Sequence, residues 1–102
     1  MPLRRSRFGP LVERQLELFA QEHVGLVRDT EAALRAYTGA ASDEAEERYG
    51  DYLDLVETGQ EELAELRDAY ARTLDEETAA EYRAAFNRMV RKRLPRYALD
   101  LE

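Results

Sequence analysis

Residues 43–74, DEAEERYGDYLDLVETGQEELAELRDAYARTL, decide the fold because their apolar side chains recur with helical spacing. The recurrence alternates steps of four and three residues over four heptads, which keeps one face of a helix turned toward neighbouring helices. This stripe consists of Ala45, Tyr49, Tyr52, Val56, Gly59, Leu63, Leu66, Tyr70 and then Thr73 or Leu74. The segment therefore predicts a long amphipathic helix.

Two further signals bear on where this helix begins and whether it is continuous. Ser42 is a good N-cap residue, and the acidic residues that follow it complement the positive end of the helix dipole. Residues 58–61, Thr-Gly-Gln-Glu, also fit a capping box that would begin a new helix. The stripe keeps its phase through Gly59, however, and this favours one long helix over a break.

Two more helices flank the central one. Pro10 suits a first helical turn, and Thr38-Gly39 suits an end, so we expect a helix at about 10–37. A capping-box pattern at 73–76 and the stop at Pro95 predict another at about 76–94. The expected fold is all-α: three antiparallel helices (10–37, 43–74 and 76–94) in a bundle that oligomerisation completes.

This arrangement divides the chain into three parts. Residues 1–9 form a basic leader, which we expect to be flexible and to serve as a docking segment for a protein partner. Residues 10–95 form the helical domain, and residues 96–102 form a C-terminal tail that either docks on the bundle or contacts another subunit.

Composition excludes several classes of protein. The chain has 102 residues, 22 acidic and 15 basic side chains, a net charge of -7, one histidine and no cysteine. Disulfides, thiolate metal sites and cysteine nucleophiles are therefore excluded. No apolar run approaches the roughly 20 residues of a membrane span, and the N-terminal residues do not resemble a secretory signal. We expect a cytoplasmic protein that does not contact membranes.

Unequal helix lengths predict a partner. At 1.5 Å per residue the central helix is about 48 Å long, whereas the third helix is only about 28 Å long and reaches back to about Val56. The 45–52 end of the central helix is then covered by one neighbour, although it carries tyrosines and a leucine. We expect an interface there, formed by Tyr37, Tyr49, Tyr52 and Leu53, and a homodimer is the simplest way to cover it.

Metal chemistry has a narrow basis in this sequence. His23, with Glu22 and Glu57, is a candidate for a metal or small-ligand site shared between subunits, but His23 also fits the edge of a helical core. The chain has no Glu-x-x-His pair of the kind that helical di-iron sites use. Glycine-rich phosphate loops and nucleophile motifs are also missing, so the sequence predicts no cofactor and favours a non-enzymatic role.

Arginines concentrate at the two ends of the chain. Residues 43–81 hold 15 acids and 3 bases, a net charge of -12, whereas residues 82–102 hold 6 bases and 2 acids, a net charge of +4. The cationic residues at the two ends are Arg4, Arg5, Arg7, Arg88, Arg91, Lys92, Arg93 and Arg96. The acidic balance of the whole chain opposes non-specific nucleic-acid binding, and ion pairs with the acidic helix are the simpler interpretation.

Three hypotheses follow. The first is a small helical interaction or adaptor protein that acts through homo-oligomerisation or through packing against a partner helix. The second is an oligomer that binds a metal or small ligand through His23 and interface glutamates, and the third is a regulator that contacts nucleic acid through its arginine-rich ends. The sequence favours the first and specifies neither a partner nor a pathway.

Overall fold

A computed structural model describes residues 7–98 of the chain, and these residues are helical almost throughout. The helices are α1 (Gly9–Glu22), α2 (Val24–Thr38), α3 (Ala45–Ala71) and α4 (Glu76–Arg93), and a 3-10 turn follows at Pro95–Tyr97. The described part of the chain has no β-strand, which agrees with the predicted all-α class. None of its helices combines the length and the apolar composition that a membrane crossing requires.

The predicted first helix, 10–37, is two helices, so the count is four and not three. The break falls at His23, whose backbone (φ -115°, ψ 35°) leaves the α-helical region while hydrogen bonds continue on both sides. Its N–H donates to the Phe19 carbonyl, and its own carbonyl accepts from the Val27 N–H. The two helices pack on different neighbours, because α1 contacts mainly α4 and α2 contacts mainly α3. One straight helix cannot make both contacts.

The prediction of one unbroken helix through Gly59 is confirmed by α3. Its ends differ slightly from the prediction, because α3 begins at Ala45, with Glu44 and not Ser42 in the N-cap position. The next helix begins at Glu76 as predicted, but its cap is Asp75 and not Thr73. The Asp75 carboxylate accepts 2.9 Å hydrogen bonds from the Thr78 N–H and hydroxyl, and these bonds lower the pKa of Asp75.

The hydrophobic core lies at one end of the molecule, which we call the body: α1, the second half of α3, and α4. Its large buried side chains include Phe8, Val12, Leu16, Phe19, Leu63, Tyr82, Phe86 and Val90. The Phe8 and Tyr82 rings meet edge to face at 5.4 Å, and the Tyr82 hydroxyl donates to Gln15 at 2.8 Å. On the surface, Arg67 and Arg83 both bond Asp68 and hold its pKa below the usual value, which ties α3 to α4.

The other end of the molecule, which we call the arm, comprises residues 31–58 and contains no buried residue. It is a hairpin of two helices, the second half of α2 packed against the first half of α3. Together the arm and the body give an elongated molecule of 50 × 32 × 26 Å.

Tyr97 joins the arm to the body through a contact that we call the Tyr97 junction, made by Thr30, Gly59 and Tyr97. The buried Tyr97 ring lies directly on Gly59, so closely that any β-carbon at position 59 would overlap ring atoms Cδ1 and Cε1. The Tyr97 hydroxyl donates to Thr30 Oγ1 at 2.8 Å, and the Thr30 hydroxyl donates in turn to the Leu26 carbonyl. Gln60 Nε2 also donates to the Ala98 carbonyl at 2.9 Å.

Residues on both sides of the predicted helical domain, 10–95, also make contacts with it. Residues 7–9 of the predicted leader belong to the fold, because Phe8 is buried in the core and Arg7 pairs with Glu81. The first part of the predicted tail, 96–98, docks on α2 and α3. Residues 1–6 and 99–102 lie outside the described residues.

Substitution of Gly59 tests the Tyr97 junction. We expect Gly59→Ala to lower the free energy of unfolding by about 1–3 kcal/mol, because the new methyl group collides with a buried ring and overpacking exceeds the gain in helix propensity. Gly50→Ala is the matched control in the same helix, since a β-carbon at position 50 meets nothing within 4 Å. That variant should gain up to about 1 kcal/mol. Urea unfolding of both variants measures the difference, and equal stability would contradict the described contact.

Alkaline unfolding tests the burial of Tyr82. Burial raises the pKa of Tyr82 from 10.0 to about 12, against a smaller opposing effect of its bond to Gln15. Well below pH 10, the Tyr82 hydroxyl is protonated in both the folded and the unfolded chain. Its burial therefore makes its full contribution to the free energy of unfolding there. As the pH rises from 10 toward 12, the unfolded chain loses the proton first, and stability falls by up to roughly 1.4 kcal/mol per pH unit. In urea titrations over this range, Tyr82→Phe should flatten the decline of stability with pH, and an unchanged slope in that variant would contradict the assignment.

Candidate partner-binding surfaces

The four residues predicted as an interface lie together on the arm. The rings of Tyr37 and Tyr49 meet across α2 and α3 with centroids 5.0 Å apart, and the ring of Tyr52 lies 6.4 Å from that of Tyr49. Tyr49 is 43% exposed and Leu53 is 40% exposed, whereas Tyr37 and Tyr52 are half-buried. The arm therefore presents an aromatic and aliphatic patch, which we call the arm patch, with Tyr49 and Leu53 outermost.

Tyr52 also makes contacts within its own chain. Arg96, just after α4, forms an ion pair with Glu31 of α2, with 2.7 Å between Nε and Oε2. The bond from Arg96 lowers the pKa of Glu31, and Glu31 together with Tyr52 raises the pKa of Arg96. Tyr52 therefore lies beside the ion pair that accompanies the Tyr97 junction, which leaves Tyr49 and Leu53 as the residues most open to a partner.

A second surface, the α1/α3 groove, runs between two helices of the body and encloses about 420 Å³. Each helix contributes four residues at the spacing i, i+3, i+4, i+7, and His23 lies at one end. The lining residues are Gln15, Leu18, Phe19, Glu22 and His23 from the first side, and Glu62, Glu65, Leu66 and Ala69 from α3. The groove thus combines an apolar floor with three carboxylates.

The metal candidates do not converge in this chain. His23 stacks on Phe19, with ring centroids 4.5 Å apart, and shares the α1/α3 groove with Glu22. Glu57 is an exposed residue of α3 and is not among those lining the groove. Within residues 7–98, no group of three or more histidine, aspartate or glutamate side chains is arranged to hold a metal ion. A site completed by a second subunit stays a hypothesis.

Several arginines of the two chain ends form ion pairs within the fold. Arg7 pairs with Glu81 at 3.1 Å, and Arg93 pairs with Glu13 at 2.6 Å. Together with the pair of Arg96, these contacts join α1, α2, α4 and the residues beside them, and not the acidic helix α3 as the sequence suggested. The exposed residues Arg88, Arg91 and Lys92 form no ion pair with another residue of 7–98. Arg4 and Arg5 lie outside that range.

The sequence analysis did not identify the α1/α3 groove. One signal in the sequence is Leu18, an apolar residue of the first predicted helix that is 38% exposed in the structure. The helical spacing of Glu62 and Glu65 beside Leu66 is equally visible in the sequence. These residues line a groove only because α1 lies next to this part of α3, and the sequence does not give that position.

Comparisons with known proteins add no functional information. No protein-family model, no curated protein and no solved structure matches this chain. The function must therefore be inferred from the two surfaces themselves.

Proposed function

We propose that this protein is a small helical interaction protein of the cytoplasm that works by association, with two copies pairing through the arm patch. Pairing places two hairpins face to face and creates a four-helix arrangement in which each copy supplies the layer that the other lacks. Closed two-fold pairing is the commonest form of homo-oligomer, and it allows one patch to serve as its own complement.

The observation that carries this proposal is the absence of any buried residue between positions 31 and 58. Over this stretch two helices pack against each other. Without a third element beside them, they cannot shield the apolar side chains between them from water. Tyr49 and Leu53 consequently keep about two-fifths of their surface in water, and burial of such side chains contributes about 25 cal/mol per Å² of apolar area. Aromatic residues also supply much of the energy at protein interfaces.

Charge placement around the arm patch affects the strength of pairing. Glu46 lies three residues before Tyr49, and Glu57 lies four residues after Leu53, so both carboxylates flank the exposed side of α3. A two-fold axis through the patch brings these carboxylates toward the corresponding pair of the second copy. Pairing must therefore overcome repulsion, which salt screens.

The arm patch is tested by Leu53→Glu, with Leu18→Glu as a control in which a leucine of similar exposure is replaced on the body. We expect the wild-type protein to be a dimer at micromolar concentration in light scattering and sedimentation. Leu53→Glu should weaken pairing about 100-fold or more, because a carboxylate would be desolvated in the interface. Leu18→Glu should leave the dimer intact.

Two results would contradict this proposal. A wild-type protein that is a monomer at micromolar concentration would exclude self-association as its function. Equal effects of Leu53→Glu and Leu18→Glu on the dimer would show that the arm patch is not the interface. Circular dichroism and the melting temperature establish that each variant remains folded.

Salt dependence gives an independent test of the same interface. An increase in sodium chloride from about 20 mM to about 300 mM should tighten the dimer about 2- to 10-fold, since screening weakens repulsion between the flanking carboxylates. Glu46→Gln with Glu57→Gln should reduce this dependence, whereas Glu76→Gln with Glu77→Gln, at the start of α4, should not. Sedimentation equilibrium measures the change, and a dimer that weakens with salt would argue against the pairing described here.

A further inference from the structure

The α1/α3 groove has the shape of a binding site for one more helix. Leu18 comes from α1 and Leu66 from α3, and neither is fully covered by the body, although the neighbouring Phe19 is buried. The lining residues span two turns of each helix, a length of about 10 Å. Ridges of one helix fit into grooves of this kind, which is how amphipathic helices bind grooves on other proteins.

The carboxylates of this groove differ from several others of the body in having no ion-pair partner in the described part of the chain. Glu13, Glu81 and Asp68 each form an ion pair with an arginine of the chain. Glu22, Glu62 and Glu65 border the groove, and none of them has a cationic partner within residues 7–98. A ligand that complements both features must carry positive charge beside apolar side chains.

We propose that the α1/α3 groove binds an amphipathic helix of another protein, about three turns long. Its leucine-sized side chains, at positions i, i+3 or i+4 and i+7, contact Leu18 and Leu66, and its arginine or lysine residues face Glu22, Glu62 and Glu65. This site is separate from the arm patch, so a dimer would have two equivalent binding sites for a cationic partner.

Segments of the protein itself fit the groove less well. The first half of α3 is acidic and would be repelled by the three glutamates. The cationic surface at Arg88, Arg91 and Lys92 offers Met89 as its large apolar residue, and Met89 already packs against the core of its own subunit. In the leader, Leu3 is followed by Arg4 and Arg5, but no second apolar residue stands at helical spacing within residues 1–6.

A synthetic peptide tests the site. The probe is a dye-labelled helical peptide with three leucines at helical spacing, arginines beside them and alanines elsewhere; a second peptide has glutamate in place of arginine. Fluorescence anisotropy with the full chain, at about 150 mM salt, should show binding of the arginine peptide alone. Leu18→Glu should weaken this binding about 10- to 100-fold.

Charge reversal supplies the matched comparison. Glu62→Lys should weaken peptide binding about 3- to 10-fold, whereas Glu61→Lys, the same change at the adjacent residue outside the groove, should alter it less than about 2-fold. Because both variants lower the net negative charge equally, a difference between them separates the groove from general attraction to an acidic protein. If Leu18→Glu does not fold, the comparison of Glu62→Lys with Glu61→Lys still tests the groove.

Other outcomes would overturn the proposal. These are equal binding of the two peptides, equal losses with Glu61→Lys and Glu62→Lys, and unchanged binding by folded Leu18→Glu. If Arg4→Glu with Arg5→Glu raised peptide affinity more than about 10-fold, the leader would be the occupant in place of another protein. Leu53→Glu should keep peptide binding while losing the dimer, so failure of the groove and failure of the arm patch are distinguishable.

Discussion

The contact between the Tyr97 ring and the bare backbone of Gly59 determines how the two ends of this molecule are held together. Gly59 lies in the middle of α3, where the arm ends and the body begins. The ring fills the space that a side chain would occupy, and its hydroxyl reaches Thr30 of α2. A residue beyond the last α-helix therefore fixes α2 and α3 at one point, which is also the last buried layer before the arm.

Beyond that layer the molecule has helices without a core, and this follows from how the helices are distributed. Helix α1 packs mainly on α4, whereas α2 packs mainly on α3, so α1 cannot cover the arm. Helix propensity alone rarely stabilises two isolated helices of this length. Mutual contacts such as that of Tyr37 with Tyr49, and the continuity of α3 with the body, supply the remaining stability.

The sequence predicted the central helix well, because its stripe keeps one phase and α3 uses that phase for neighbours along its whole length. The same reasoning failed at His23. The apolar spacing continues through Phe19, His23 and Leu26, but phase does not reveal that the residues on either side face different helices. The role of Tyr97 was also beyond reach from sequence, since a docked tail and an intersubunit contact require the same residue types. Only the position of its ring over Gly59 distinguishes them.

The charged side chains in the described part of this fold include some that are paired with one another and others that are not. Arg7, Arg93 and Arg96 form ion pairs with carboxylates of α4, α1 and α2, so these cations have partners within the chain. Among the acidic side chains of residues 7–98 without such a partner, one set lies along the arm and another around the α1/α3 groove. In the proposed dimer, those on the arm would repel the same residues of the second copy, so apolar contact would have to supply the attraction. In the proposed groove complex they would instead attract a partner of opposite charge. If both proposals hold, one acidic composition restricts self-association at one surface and selects a different class of partner at the other.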